Sequence, residues 1–214
     1  MKYSSYLFDL DGTLIDSMDT FVVSLLRLLD NNNIKYGDDI VKIITPLGGK
    51  GIAAYFRSLG LDMSDEEFLH YAHTNSIRNY ENTIPAKSNV IETVKKLKAA
   101  GAELNILTAS PHILLDPCIK RLGIWDLFTN CWSCNDFNTT KADPDIYVRV
   151  AEKLGRDIDS ILFLDDNFDA CNTAKTAGMK VCGVYDSYSE DYVEDMKKIC
   201  DHYIYDFSEL DKFM

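Results

Sequence analysis

Short apolar runs alternate with helical patterns along most of this chain, and each run leads into a polar or acidic residue. The runs that we interpret as strands are, in chain order, YLFDLD (6–11), ELNILTAS (103–110), SILFLDDN (160–167), MKVCGVYD (179–186) and HYIYDF (202–207). Near-continuous apolar runs are typical of strands that helices cover on both faces. The pattern therefore predicts an α/β core that contains a parallel sheet.

The helical patterns between the later runs have recognisable start and stop signals. Small polar residues and proline are typical of helix starts, and glycine is typical of the position just after a helix end. These signals predict one helix that starts at Ser88 and stops at Gly101, and a second that starts at Asp143 with Pro144 and stops at Gly155. A third starts at Asn167 and stops at Gly178.

Residues 17–84 break this alternation. Three amphipathic patterns follow one another there without a strand between them: SMDTFVVSLLRLLDNNN, GIAAYFRSLG and SDEEFLHYAHTNSIRNYEN. Ser64 and Glu67 have the spacing of a capping box at the start of the last pattern. We therefore predict a discontinuous core of residues 1–16 and 85–214, with a helical insert between them.

Composition narrows the classes of partner. The chain has 214 residues, which suffice for one core with a small inserted domain. Its net charge of -12 argues against nucleic acid, whose phosphates need a basic surface, and an acidic surface is also repelled by anionic lipid. No apolar run approaches the ~18 residues of a membrane span. We expect neither a nucleic-acid nor a membrane partner, and we attribute the charge to solubility.

The six cysteines indicate a reducing compartment. No secretion signal precedes them, so we expect reduced thiols in a cytoplasmic protein. Cys131 and Cys134 form a CxxC pair, but a zinc site would need a second such pair, which the sequence lacks. We interpret them as two half-buried thiols, with a metal or redox site as the alternative.

The candidate chemistry lies where the predicted strands end. Asp9 and Asp11 point to the same side of an extended segment, because side chains alternate along a strand. Thr108, Asp165 and Asp166 end two other runs, and ligands of open parallel sheets bind beyond the carboxyl ends of the strands. Converging carboxylates repel one another unless a hard cation lies among them. Oxygen ligands of this kind suit Mg²⁺.

Four motifs in this order resemble those of the haloacid-dehalogenase superfamily. DLDGT (9–13) resembles the first motif, Thr108 closes a strand as in the second, Lys141 in KADPDIY resembles the third, and Asp165 with Asp166 stands where the fourth belongs. The match spans nearly the whole chain. The resemblance implies a Rossmann-like parallel sheet with an inserted α-helical cap, similar to the branch that includes phosphoglycolate phosphatases and beta-phosphoglucomutases.

The resemblance also implies catalytic roles. Asp9 is expected to attack phosphorus and form an aspartyl-phosphate. Asp11 is expected to protonate the leaving oxygen and then to deprotonate the attacking water. Lys141 is expected to balance charge on the phosphoryl group and on Asp9, while Thr108 donates a hydrogen bond to that group.

By the same resemblance, Asp9, the backbone carbonyl of Asp11 and Asp166 are expected to hold Mg²⁺. Asp165 is expected to hold a water of the ion's shell rather than the ion itself. The sequence Asp-Asp-Asn departs from the common Gly-Asp-Ser, and Asp169 follows Asp166 by three positions instead of four. We interpret Asp169 as a helix cap.

Two further residues are candidates for binding substrate. Ala109 has no polar side chain, so backbone amides at that position are expected to contact phosphate. Lys50 lies in TPLGGKGI, whose glycines favour a cap loop that bends and lets the ammonium reach inward. A flexible loop with a solvated lysine is an equally good interpretation. In the family that this chain resembles, the cap closes over the site.

Together these features predict Mg²⁺-dependent hydrolysis of a small organic phosphomonoester through an aspartyl-phosphate. Asp11 argues against dehalogenation, because a halide leaving group needs no proton. The alternatives are a sugar phosphomutase of the beta-phosphoglucomutase type and a non-catalytic phosphometabolite-binding protein. A small cap suits a small phosphorylated metabolite as partner, and we expect a monomer or a homodimer.

Overall fold

The computed structural model describes residues 2–44 and 47–213. The chain divides into two compact units, of which one comprises Met1–Ser17 with Ile84–Met214 and the other Met18–Thr83. The predicted domain boundaries differ from this division by one residue at each junction.

The unit Met18–Thr83 is helical. Its helices in the described residues are α1 (Ser17–Asn31), α2 (Ile40–Ile44), α3 (Gly49–Ser58) and α4 (Asp65–Asn82). Their apolar faces form one buried cluster, to which Leu29, Phe56 and Phe68 contribute. The capping box of Ser64 and Glu67 is present at the start of α4, as predicted. The short helix α2 is not predicted by the sequence pattern.

The other unit contains a parallel sheet. The strands in the described residues are β1 (Ser5–Phe8), β2 (Glu103–Thr108), β3 (Asn130–Ser133), β4 (Ile161–Asp165), β5 (Lys180–Val184) and β6 (His202–Ile204). They pair in the order β3-β2-β1-β4-β5-β6, and every pairing is parallel. The predicted fold class is confirmed. The order reverses at β1, which places the ends of β1 and β4 at a topological switch point, where α/β proteins bind ligands.

Helices accompany this sheet. They are α5 (Val90–Ala99), α6 (His112–Arg121), α7 (Asp145–Leu154), α8 (Phe168–Ala177) and α9 (Val193–Ile199). Single-turn or slightly longer 3-10 segments lie between some of these elements. Within the described ranges, we find no helix whose length and apolar character would let it cross a membrane.

Strand β3 was not predicted, because its sequence NCWS lacks the continuous apolar run of its neighbours. It contains Cys131, and Cys134 begins the short 3-10 segment that follows. Both are free thiols. Cys131 is half-buried as predicted, whereas Cys134 is fully buried in the core.

Two predicted helix caps are wrong. Asn89, in a left-handed conformation with φ of 60°, precedes α5, so Ser88 does not cap it. At α8 the cap is Asn167, whose side chain accepts the Ala170 N–H at 3.0 Å. Because Asn167 already occupies the cap position, Asp169 lies exposed in the first turn of α8.

The chain segments at the two junctions pair with each other inside the core unit. The Asp16 N–H donates to the carbonyl of Pro85, and the Lys87 N–H donates to the carbonyl of Leu14, each at 3.0 Å. This pairing brings Lys87 beside the turn that follows β1.

Candidate active site

Adjacent strands bring Asp9 and Asp165 together. Asp9 follows β1 directly, and its backbone N–H donates to the Leu164 carbonyl of β4 at 2.9 Å. Asp165 is the last residue of β4. Both side chains are buried, with 5% of Asp9 and 2% of Asp165 exposed. Burial of two carboxylates at one edge of a sheet is costly unless positive charge lies next to them.

Asp166 completes an acidic cluster. Asp9, Asp165 and Asp166 each offer a carboxylate oxygen, and the three oxygens lie within 4.8 Å of one another. The structure therefore brings together the carboxylates of Asp9 and Asp166, which are predicted to hold the ion, and that of Asp165, which is predicted to hold a water of its shell. Clustered hard oxygen donors of this kind can hold a metal ion.

Lys141 contacts two members of this cluster. Its ammonium donates to Asp9 Oδ1 and to Asp165 Oδ2, the latter at 2.8 Å, and 13% of its side chain is exposed. The loop that carries it is fixed by the buried Tyr147 of α7, whose hydroxyl donates to the Lys141 carbonyl at 3.2 Å. Strand ends and helix α7 thus place this lysine between two carboxylates.

The charges of the cluster perturb one another. Burial raises the pKa of Asp9 well above its usual range; Lys141 acts against this shift, and Asp165, Asp166 and Asp11 add to it. Burial lowers the pKa of Lys141, but the two carboxylates that it contacts raise it more, so the net shift is well upward. Lys141 is therefore a cation in contact with two members of a cluster of three carboxylates, and the cluster favours the entry of further positive charge.

Asp166 is held by the turn after β1. Thr13 Oγ1 donates to Asp166 Oδ1 at 3.0 Å and accepts the backbone N–H of Asp166 at 3.1 Å. Gly12 has a φ of +77°, and a Cβ at this position would lie 2.6 Å from Asp166 Cγ. A side chain at Gly12 would therefore displace the carboxylate. Burial, with the charges of Asp165 and Asp186, raises the pKa of Asp166 to about 7, although Thr13 opposes the shift.

Asp11 is oriented by a residue that sequence reasoning missed. Ser110 Oγ donates to Asp11 Oδ2 at 2.6 Å, and the Ser110 N–H donates to Thr108 Oγ1 at 3.0 Å. Thr108 is buried at the end of β2, while Ala109 is exposed. The available signal was a second hydroxyl residue two positions after Thr108, on the loop that leaves the predicted strand.

Lys50 is exposed in the first turn of α3, so the prediction of a loop at this lysine is wrong. Gly48 precedes the helix as its N-cap, and Ile52 and Phe56 of the same helix are buried. Burial of these apolar side chains outweighs the low helix propensity of the glycines. The first two residues of TPLGGKGI lie outside the described residues. A role for Lys50 in substrate binding stays a prediction.

A second ion pair lies beside the cluster. Lys87 Nζ is 2.9 Å from Asp186 Oδ2, and 18% and 4% of the two side chains are exposed. Lys87 also donates to the backbone carbonyls of Gly12 and Tyr185, each at 2.6 Å. The two charged partners are 99 positions apart in the sequence, so no local pattern indicates their contact.

Comparison with known proteins agrees with this geometry. The profile of the family described as haloacid dehalogenase-like hydrolase matches residues 6–184. The pyrophosphatase PpaX of Bacillus velezensis is 29% identical over 192 residues, which cover 86% of this chain and 83% of that protein. The phosphoglycolate phosphatase of Colwellia psychrerythraea is 28% identical over 213 residues, which cover 95% of this chain and 93% of that protein.

Solved structures share the fold over the whole chain. The crystal structure of a predicted phosphoglycolate phosphatase from Haemophilus somnus superposes with a TM-score of 0.81 at 23% identity, and the match covers 99% of this chain and 98% of that one. The family profile covers most of the chain, and the motif residues that it spans converge at the strand ends. The chain therefore belongs to the haloacid dehalogenase-like hydrolase family, as its four motifs imply.

Proposed function

We propose that this protein is a Mg²⁺-dependent phosphatase that hydrolyses a small organic phosphomonoester through an aspartyl-phosphate. The observation that carries the proposal is the convergence of Asp9, Asp165 and Asp166, the first two of which contact the ammonium of Lys141. Relatives that are named phosphatases and that match this chain over most of its length support it.

The donor set fits Mg²⁺. The clustered ligands are carboxylate oxygens, which this hard cation prefers, and the missing side chain at Gly12 lets the Asp166 carboxylate take its place in the cluster. We assign Asp9, Asp166 and the backbone carbonyl of Asp11 as the residues that would hold the ion. When bound, Mg²⁺ offsets the negative charge of a phosphate that approaches these carboxylates.

Asp165 suits a supporting role better than direct ligation. Its Oδ2 accepts from Lys141 and its Oδ1 accepts from the Asn167 N–H, each at 2.8 Å. Because both oxygens have protein partners, Asp165 holds Lys141 in place and retains lone pairs for a water of the ion's shell.

Asp9 and Asp11 carry out the bond changes. A carboxylate oxygen of Asp9 forms a bond to phosphorus while the bond from phosphorus to the leaving oxygen breaks. Asp11 gives its proton to that oxygen. A water molecule then attacks phosphorus, Asp11 takes the proton of the water, and release of phosphate restores the Asp9 carboxylate. The hydrogen bond from Ser110 orients Asp11 for both proton transfers.

The phosphoryl oxygens need donors that are already in place. Lys141 lies against Asp9, so its ammonium is available to the phosphoryl group that Asp9 attacks. The hydroxyl of Thr108, at the end of β2, and the backbone amide of Ala109, on the loop that follows, would add neutral hydrogen bonds. Fixed donors of this kind stabilise charge that develops in a transition state.

A panel of phosphorylated compounds tests the proposal. It includes 2-phosphoglycolate and pyrophosphate, because relatives are named for them, together with sugar phosphates, each with Mg²⁺ and with a chelator. Release of free phosphate that requires Mg²⁺ supports the phosphatase. Formation of an isomer without free phosphate supports a mutase, and binding without turnover of any compound supports a non-catalytic sensor.

The helical unit is proposed as the cap, with Lys50 as a substrate contact. Lys50→Met is then expected to raise KM about tenfold and to change kcat less. The reason is that a contact made equally in the ground state and in the transition state contributes to substrate binding and not to the chemical step. Lys42→Met, which removes another exposed lysine of the same unit, is the matched control. Equal KM values for the two variants would contradict the assignment. Light scattering tests the expectation of a monomer or homodimer.

A further inference from the structure

Lys87 approaches the edge of the sheet from the segment that precedes α5. Its ammonium donates to the carbonyls of Gly12 and Tyr185 and to the carboxylate of Asp186. Three acceptors match the three N–H groups of an ammonium. Lys87 therefore has no N–H left for a substrate, and the contacts by which it can fix the site are those with the backbone carbonyls of Gly12 and Tyr185.

The Gly12 carbonyl belongs to the turn that presses on Asp166. On one side of this turn the Cα of Gly12 lies so close to the Asp166 carboxylate that a Cβ would overlap it, and Thr13 exchanges two hydrogen bonds with Asp166. On the other side Lys87 holds the Gly12 carbonyl at 2.6 Å. The turn is thus fixed between a lysine and a carboxylate of the acidic cluster.

Hydrogen bonds fix both the backbone and the side-chain ammonium of Lys87. Its backbone N–H donates to the Leu14 carbonyl at 3.0 Å, just after the turn. Its partner Asp186 is buried, and Asp186 Oδ1 accepts the Tyr188 N–H at 2.9 Å. The ammonium therefore has a fixed position from which it can define the position of the turn.

We propose that Lys87 is a positioning residue, which holds the Gly12 turn against Asp166 and so sets the separation between the Asp9–Asp11 segment and Asp166. For its kinetic consequences this inference rests on the proposed function. A reaction centre tolerates only about 0.5 Å of misplacement in its supporting groups. Loss of the Gly12 anchor is expected to widen the acidic cluster and to weaken its hold on a divalent cation.

The competing explanation is that Lys87 only neutralises Asp186. Three variants separate the two. Lys87→Met removes every contact and leaves Asp186 unpaired, Asp186→Asn keeps the two carbonyl contacts of Lys87, and the double variant removes the contacts without leaving an unpaired charge. Lys198→Met, which removes an exposed lysine paired with Asp195, is the control.

Hydrogen exchange measured by mass spectrometry reports how often the turn opens, and it does not require the enzyme to be active. The Gly12, Leu14 and Ile15 amides donate hydrogen bonds within the turn, so their exchange reports its opening. We expect exchange of the peptide that covers residues 9–16 to rise at least about threefold in Lys87→Met and in the double variant, with peptides from α7 unchanged. Asp186→Asn and Lys198→Met are expected to match the wild type.

Mg²⁺ titration, followed by thermal shift and by phosphate release, gives the second readout. The half-saturating Mg²⁺ concentration is expected to rise about fivefold or more and kcat to fall about tenfold in the two variants that lack Lys87, with less than about a twofold change in Asp186→Asn. If Lys87→Met does not fold, the double variant decides.

Two results would overturn the inference. One is unchanged exchange of residues 9–16 and unchanged Mg²⁺ dependence in both variants that lack Lys87. The other is an Asp186→Asn variant that matches the double variant, because charge pairing would then account for the effect. A wild-type enzyme without phosphatase activity would overturn the proposed function instead, and the exchange experiment would still decide the role of Lys87.

Discussion

Two partly buried lysines at the carboxyl edge of the sheet have different kinds of partner. Lys141 contacts two carboxylate side chains, Asp9 and Asp165, which follow or end neighbouring strands. Lys87 contacts two backbone carbonyls and a single carboxylate. Carboxylates can change charge or form new bonds during a reaction, whereas backbone carbonyls can do neither. This difference matches the two proposals, in which Lys141 acts among the reacting groups and Lys87 fixes the backbone around them.

The largest expected effect comes from replacing Asp9, a carboxylate that accepts a hydrogen bond from Lys141. Asp9→Asn removes the proposed nucleophile, and we expect phosphate release to fall at least about 10³-fold. The neutral amide also relieves repulsion among the carboxylates, so Tm without Mg²⁺ is expected to stay the same or rise. Phosphate release and a thermal melt measure the two quantities. Activity within tenfold of the wild type would contradict the assignment of Asp9.

Lys141→Met sharpens the comparison between the lysines. We expect kcat to fall about 10²-fold or more, because a preorganised charge at the phosphoryl group is lost. This loss exceeds the roughly tenfold loss expected for Lys87→Met, since Lys87 is proposed to act by positioning the Gly12 turn. Lys153→Met, which removes an exposed lysine of α7, is the matched control. An equal loss of kcat at positions 141 and 87 would break the distinction between them.

The acidic cluster predicts a pH dependence of metal binding. Asp166 has a pKa of about 7 in the folded protein, raised from 3.8, so its proton is bound more tightly in the folded state and stabilises it at low pH. That contribution is lost as pH rises through 7. A cation must displace this proton, so Mg²⁺ affinity is expected to rise up to about tenfold per pH unit between pH 6 and 7 and to level off above.

Thermal shifts with and without Mg²⁺ at pH values from 6 to 8 measure this dependence. The stabilisation by Mg²⁺ is expected to grow over the range, and Asp166→Asn is expected to remove both the stabilisation and its pH dependence. A Mg²⁺ effect that is the same at pH 6 and at pH 8 would show that Asp166 is already ionised without the cation.

The smallest expected effect lies in the helical unit. Ser64→Ala breaks the capping box of α4 and is expected to lower the free energy of unfolding by about 1 kcal/mol. Denaturant unfolding measures this change. Because Ser64 takes no part in the contacts of either lysine, kcat is expected to stay within about twofold of the wild type. A large loss of kcat would mean that the effects of the lysine variants are not specific to their positions.

The sequence predicted those parts of the fold that local patterns encode. Strands β1, β2 and β4 are near-continuous apolar runs that end in polar residues, and the direction of the strands brings Asp9, Asp165 and Asp166 to one edge. The motifs also located Lys141, which the structure places against two of these carboxylates. Strand β3 escaped prediction, because only its pairing with β2 makes it a strand.

Features that depend on tertiary contacts were not predictable. Lys87 and Asp186 meet only because the junction segments pair and β5 ends beside β4. The hydrogen bond between Ser110 and Asp11 likewise joins two separate loops. At Lys50 the glycines indicated a loop, but burial of apolar residues later in α3 favours the helix. The first two contacts have no local pattern that indicates them, and at Lys50 tertiary burial outweighs the local pattern.

Phosphorylation of Asp9 tests the central claim most directly. Asp11→Asn cannot deprotonate the attacking water, but acetyl phosphate has a leaving group that needs no proton, so this variant is expected to form the aspartyl-phosphate and retain it. The variant would be mixed with acetyl phosphate and Mg²⁺, quenched in acid and mapped by peptide mass spectrometry. We predict a phosphate on residue 9 that a chelator prevents. Hydrolysis of acetyl phosphate by the wild type, together with no phosphate on residue 9 of the variant, would contradict the account.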